Sequence, residues 1–150
     1  MISDFAMLVF LTLPFLFEAG LVLTELDKNT LIGYQTGKAL SGSAGGGAHT
    51  FVGYKAGAAN TSGNSNTFVG SEAGTSTTTG LQNVAMGRGA LFTADGGESN
   101  NVAIGMFAMY SVDNDGSDDN ICLGVNAGKG GTGTFNRNVA IGTVALENSA

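Results

Sequence analysis

The acidic run DNDGSDDN (113–120) holds the side chains of this sequence best suited to bind a metal ion. Asp113, Asp115, Asp118 and Asp119 offer the hard carboxylate oxygens that Ca²⁺ prefers. The run lacks the bidentate glutamate of an EF-hand, and its glycine is out of place for that loop. Two interpretations stay open: a weak calcium site, and a solvated acidic turn that discourages aggregation, which we favour.

Catalytic and phosphate-binding patterns are weaker. His49 is the only histidine, so a nucleophile–histidine–acid triad would have to use it. The segments GYQTGK (33–38) and GVNAGK (124–129) resemble a phosphate-binding loop, but each is one residue short and lacks the serine or threonine that follows. GKGGTG (128–133) matches a dinucleotide fingerprint without the helix that must follow it. The sequence therefore predicts neither an enzyme nor a cofactor.

Charge and composition exclude further classes of partner. The net charge is −6 and the six lysines and arginines are scattered, so no basic stripe is available for nucleic acid. A single cysteine excludes an internal disulfide. The apolar run 5–17 follows no basic residue and is too short before Glu18 to span a membrane. We therefore assign residues 1–28 to docking or assembly rather than to membrane insertion.

The elements that position these residues come from a nine-residue pattern that recurs seven times, as in NVAIGMFAM (101–109) and NVAIGTVAL (138–146). Its central glycine, called position 0 below, is Gly33, Gly53, Gly70, Gly87, Gly105, Gly124 and Gly142. Each copy is β-rich, too short for a helix and unable to bury its own apolar face, so copies must stack. The sequence predicts an all-β fold, a parallel β-solenoid (β-roll) of seven 17–20-residue coils over residues 29–150.

Two positions of each coil exchange size. Position −2 is large where position +4 is glycine, as in Phe68 and Gly74, and alanine where position +4 is leucine or methionine. A constant summed volume indicates two groups that share one space in a close-packed interior. The coil with Cys122 and Gly128 is small at both, which leaves room for Phe135. The predicted core residues are Leu31, Phe51, Phe68, Leu91, Met109 and Leu146.

Position −4 is polar in every copy. His49 occupies it in the second coil, and asparagine occupies it in the other six. Amides repeated at one position of a stack can bond along the stack, so we expect a ladder. Its members are Asn29, Asn66, Asn83, Asn101, Asn120 and Asn138.

Position −1 is aliphatic in every copy and must point outward if position −2 points inward. An exposed apolar stripe of this length needs a cover, and we expect identical chains, the N-terminal segment, or both to supply it. The predicted self-association residues of the stripe are Ile32, Val52, Val69, Met86, Ile104, Leu123 and Ile141. Those of the N-terminal segment are Phe5, Leu8, Phe10, Leu13, Phe15 and Phe17, which we expect to pack on a neighbouring subunit.

The pattern N-x-A-I-G-x-x-A-L, followed by a Ser/Thr/Asn/Gly turn, resembles the collar-like repeats of phage tail fibres and related surface proteins. It is also similar to the head repeats of trimeric autotransporter adhesins, in which such coils form a left-handed parallel β-roll and three chains associate. The resemblance covers residues 29–150. It implies a structural rod of a virion or cell surface, a trimeric or polymeric homo-oligomer, with a surface receptor or glycan as a further partner.

Two departures from these families keep alternatives open. The first three copies carry Thr-Phe or Thr-Leu where later copies carry Val-Ala, and residues 1–26 match neither family. A self-assembling extracellular filament made by a cell is one alternative. A carbohydrate-binding surface module is another, in which Tyr34, Tyr54 and Tyr110 would stack on sugars.

Overall fold

The computed structural model describes residues 28–40, 47–112, 116–130 and 134–147. These ranges contain seven strands: β1 (Thr30–Ile32), β2 (Thr50–Val52), β3 (Thr67–Val69), β4 (Val84–Met86), β5 (Val102–Ile104), β6 (Ile121–Leu123) and β7 (Val139–Ile141). Each strand comprises positions −3 to −1 of one repeat. Within the same ranges, no helix has the length and apolar character needed to cross a membrane. The six predicted docking residues between Phe5 and Phe17 lie outside the described residues.

The seven strands form one parallel sheet in chain order, which confirms the predicted all-β solenoid. They pair in register, so that Phe51 lies beside Phe68. Each inner strand, from β2 to β6, is hydrogen-bonded to the coils on both sides. The Thr50 N–H donates to the Asn66 carbonyl at 3.0 Å, and the Gly53 N–H donates to the Ile32 carbonyl at 2.8 Å. Because each coil has the same residue types at the same positions, in-register stacking satisfies every coil in the same way.

The corners of each coil use left-handed backbone conformations at positions −5, +2 and +4. Leu91 and Met109 adopt them at position +4, with φ of +53° and +49°. Position 0 favours glycine for two reasons, which are a positive φ of +122° to +139° and the close approach of neighbouring coils. A Cβ added to Gly87 would lie 2.7 Å from the carbonyl oxygen of Gly105. The glycine that marks the repeat is therefore a consequence of both the backbone turn and the stacking.

The core is a narrow column inside the coils. The predicted core residues Phe51, Phe68, Leu91 and Met109 are fully buried. The rings of Phe51 and Phe68 stack with centroids 4.8 Å apart. Each ring fills the space over the position +4 glycine of its own coil, because a Cβ added to that glycine would clash with ring atoms.

Two predicted core residues are less buried than expected. Leu146 is 43% exposed, so its assignment to the core is wrong, and Leu31 is half-buried against the core. Leu146 belongs to the last coil that the structure describes, and no described coil packs over it. In the coil before it, the Phe135 ring lies 3.2 Å from where a Cβ of Gly128 would be. Burial there raises the pKa of the Cys122 thiol to about 11, which makes it a neutral packing group.

Candidate functional site

One face of the sheet points away from the core and consists of positions −3 and −1. We call it the outer face. At position −1 the side chains are exposed in Ile32, Met86, Ile104 and Ile141 and half-buried in Val52, Val69 and Leu123. Position −3 adds Thr30, Thr50, Thr67, Val84, Val102, Ile121 and Val139. Neither column contains a charged side chain.

The outer face is uncharged, and it is apolar except for the threonine hydroxyls of β1 to β3. Strands about 4.8 Å apart give seven strands a combined width on the order of 30 Å. From β4 onward both columns are aliphatic, and Ile121 and Val139 are 41% and 63% exposed. These two residues were missing from the predicted stripe, although the alternation that identifies position −1 also identifies position −3. Exposed apolar surfaces of this extent are typical of protein–protein contacts.

The three tyrosines considered for sugar binding stack on rings of their own chain. Tyr34 and Tyr54 lie parallel, with centroids 5.8 Å apart and planes 8° apart. Tyr110 stacks on Phe92 at 4.9 Å and meets the edge of Phe107 at 5.1 Å. Each tyrosine therefore has one ring face against an aromatic ring of a neighbouring coil, while Tyr34 and Tyr54 remain 39% and 45% exposed.

The position −4 asparagines bridge successive coils. Asn83 Oδ1 accepts the Asn101 backbone N–H at 3.0 Å, while its Nδ2 donates to the Glu98 carbonyl at 2.7 Å. Each inner amide thereby satisfies one donor and one acceptor of the following coil. At the two ends, Asn29 Oδ1 accepts the His49 N–H, and the Asn138 N–H donates to Oδ1 of the preceding asparagine. The buried members are Asn66, Asn83, Asn101 and Asn120.

His49 takes the same place in the second coil. Its Nδ1 accepts the Asn66 N–H at 3.2 Å, and its Nε2 lies 3.1 Å from the Gly63 carbonyl, to which it donates. These partners require the neutral imidazole with its proton on Nε2. Burial lowers the pKa of His49 to about 4, and the bond to Gly63 offsets part of that effect. Both ring nitrogens are thus engaged by the backbone.

A second ladder, which the sequence pattern does not reveal, lies at position −6. The Leu81 N–H donates to Ser99 Oγ at 3.0 Å, and the Ser99 N–H donates to Asp118 Oδ1 at 2.7 Å. The Asp118 N–H in turn donates to Asn136 Oδ1 at 2.6 Å. Serine, aspartate and asparagine each have a side-chain oxygen that accepts hydrogen bonds, but they are different residue types. No repeated letter therefore marks this position in the sequence.

The ladder bears directly on the acidic run. One carboxylate oxygen of Asp118 accepts the Ser99 N–H. Asp119 forms an ion pair with Arg137, in which Oδ2 and Nε are 3.8 Å apart. Asp113 and Asp115 lie outside the described residues. Within those residues no group of three metal-ligating side chains occurs. The two described aspartates are therefore tied to neighbouring coils of their own chain.

The glycine-rich segments that resemble phosphate loops have backbone groups already in use. The Gly37 N–H donates to the Ala56 carbonyl at 3.0 Å, and the Gly128 N–H donates to the Ala145 carbonyl at 2.8 Å. A phosphate cradle needs free N–H groups, and these two point at the next coil. The remainder of GKGGTG, residues 131–133, lies outside the described residues.

Comparisons of this chain with protein-family models, with curated proteins and with solved structures found no match.

Proposed function

We propose that this protein is a structural, rod-forming subunit of a fibre that associates with copies of itself through the outer face. The observation that carries the proposal is the chemistry of that face, which presents only aliphatic and threonine side chains on seven in-register strands. A surface without charge offers no partner-specific ion pair, but it buries well against an identical surface. The occupant we propose is therefore a second copy of the same chain.

The wider setting follows from the repeat pattern. Its resemblance to phage tail-fibre and adhesin-head repeats supports a place on a virion or a cell surface, with trimeric or polymeric association. In this proposal the apolar residues between Phe5 and Phe17 join successive subunits along the fibre. A cell-made extracellular filament is the alternative with the same architecture. A glycan-binding module has less support, because Tyr34 and Tyr54 stack on each other.

A structural role also fits the hydrogen bonds of the residues first considered for chemistry. His49 binds backbone groups through both ring nitrogens and is 1% exposed, so neither nitrogen is placed to exchange a proton with a substrate. Asp118 caps a backbone N–H of the neighbouring coil. We therefore propose a protein without catalytic activity and without a cofactor.

The test is the mass of the protein in solution after Ile104→Asp. Ile104 lies in the middle of the outer face, and an aspartate buried there in an interface would be desolvated without a partner. Light scattering should show a smaller assembly. The circular dichroism spectrum should keep its β signature. Leu81→Asp is the control, because Leu81 has a similar exposed fraction, 43% against 38% for Ile104, but lies at position −6, off this face. A wild-type monomer, or equal effects of both variants, would contradict the proposal.

A further inference from the structure

His49 differs from the other ladder residues in one property, which is that it can gain a proton. In the four buried asparagines, Oδ1 accepts an N–H and Nδ2 donates to a carbonyl, and no pH change alters these roles. In His49, Nδ1 accepts the Asn66 N–H and Nε2 donates to the Gly63 carbonyl. A proton on Nδ1 turns both nitrogens into donors. The Asn66 N–H then loses its acceptor and faces another N–H.

The surroundings of His49 give an imidazolium no compensation. The ring is 1% exposed and stacks on Phe51, with centroids 4.7 Å apart. The ring nitrogens bond only backbone groups, the Gly63 carbonyl and the Asn66 N–H, while Asn29 Oδ1 accepts the backbone N–H of His49. The charged side chains described on the first three coils are Lys28, Lys38, Lys55 and Glu72, all at positions −5, +2 and +5, where side chains are exposed or half-buried. Glu72 is the one carboxylate among them, and it lies at the surface corner of the third coil.

We propose that His49 makes the first two coils an acid-labile segment, which opens when its ring is protonated while the asparagine-linked coils stay folded. The effect stays local because each coil contacts only its neighbours. Loss of the joint between β2 and β3 leaves β1 and β2 as an isolated pair of strands, which is too small to be stable alone. The proposal concerns the solenoid itself and does not depend on self-association or on a fibre.

The direction of the pH effect follows from the two states of the histidine. The pKa of His49 is about 4 in the folded coil and 6.5 in the open chain. The open chain therefore binds more protons between these values, and the first coils lose stability as the pH falls from 6.5 toward 4. Between pH 7 and pH 5 the equilibrium constant for opening should rise about 20-fold.

The experiment is hydrogen exchange of the full chain at pH 7 and pH 5, corrected for intrinsic exchange rates. Peptides from residues 29–60 should lose protection by about 20-fold at pH 5, and peptides from 83–112 should not. His49→Asn, which installs the ladder residue of the other coils, is the matched control and should abolish the difference. Asn101→His should transfer acid lability to the fifth coil.

A second readout follows the proton itself. Because His49 is the only histidine, its ring Cε1–H resonance can be titrated by NMR without assignment of the remainder of the chain. Folded protein should show no imidazolium above pH 5. Titration near 6.5 in the folded state would overturn the proposal. So would an equal loss of protection at pH 5 in His49→Asn, which would assign the effect to carboxylates. If Asn101→His fails to fold, the His49→Asn comparison still decides.

Discussion

At the scale of single residues, buried amides at position −4 join each inner coil to the next. Asparagine at position −4 recurs, and recurrence alone predicts alignment along the stack. Most of the observed bonds are to backbone groups, as when Asn66 Nδ2 donates to the Gly80 carbonyl at 2.7 Å, and Asn120 Nδ2 also donates to Asn101 Oδ1 at 2.9 Å. That carbonyl belongs to position −7 of the next coil, whose residue type varies. The residue type at position −7 therefore does not identify this carbonyl as the acceptor.

Asn60 is a buried amide without such support. It is fully buried, and neither its Oδ1 nor its Nδ2 has a hydrogen-bond partner among the described residues. The first coil has the buried Leu40 at the same position, +7. Asn60→Leu removes the desolvation cost at nearly constant shape, so we expect the free energy of unfolding to rise by about 1 kcal/mol. Urea denaturation measures it.

The matched control for this change is Asn66→Leu. Asn66 is equally buried, but it accepts the Asn83 N–H at 2.8 Å and donates to a carbonyl, so the same substitution leaves two buried backbone groups unpaired. It should lower the free energy of unfolding by at least about 2 kcal/mol. Destabilisation of similar size by both leucines would mean that Asn60 has partners after all.

At the scale of the coil, the exchange of volume between positions −2 and +4 was predictable because it appears as paired letter changes. Leu91 shows that a leucine accepts the left-handed corner at position +4, with φ of +53°. The exposure of Leu146 was not predictable in this way, because every copy of the pattern looks alike in sequence. Burial of a coil depends on having a neighbour on each side, and neighbours are a property of the stack.

The shared space can be tested by converting the third coil into the fourth. Phe68→Ala should cost about 3–5 kcal/mol by opening a cavity. Gly74→Leu alone should also destabilise, because its Cβ would clash with the Phe68 ring. The double variant reproduces the Ala85 and Leu91 pair, so the two losses should cancel in part. Denaturant midpoints of all three variants give the coupling.

Gly128→Leu in the Phe68→Ala background is the control. It imposes the same left-handed strain, with φ of +56° at both glycines, but its Cβ meets Cys122 and Phe135, three coils away from Phe68. Its effect should add to that of Phe68→Ala without recovery. If the losses of free energy from Phe68→Ala and Gly74→Leu were also additive in the double variant, positions −2 and +4 would not share one space.

At the scale of the whole molecule, the repeat pattern determined the architecture because one stacking solution satisfies all copies at once. The sheet order β1 to β7 and its register follow from that solution. The outer face is a consequence of the same solution, since alternation turns positions −3 and −1 outward together. The identity of the partner does not follow from the repeat pattern, because the sequence of one chain does not specify which molecule packs on its surface.

The last prediction separates lateral from end-to-end association. In the proposed fibre, the outer face holds chains side by side, while the segment 1–26 joins subunits head to tail, a contact that does not close and therefore propagates. Deletion of residues 1–26 should leave short oligomers with an intact β signature. Electron microscopy should show no long fibres. Light scattering should show the mass of the lateral oligomer, which is the assembly that Ile104→Asp is expected to dissociate.

Phe10→Asp with Phe15→Asp, in a chain of full length, controls for the loss of 26 residues by changing only the character of the segment. Charges in this run should prevent the head-to-tail contact as the deletion does, because each carboxylate would be buried without a partner. Long fibres of normal stability in both variants would show that the joint lies elsewhere. The edges of β1 and β7, which end the sheet among the described residues, would then be the next contact to test.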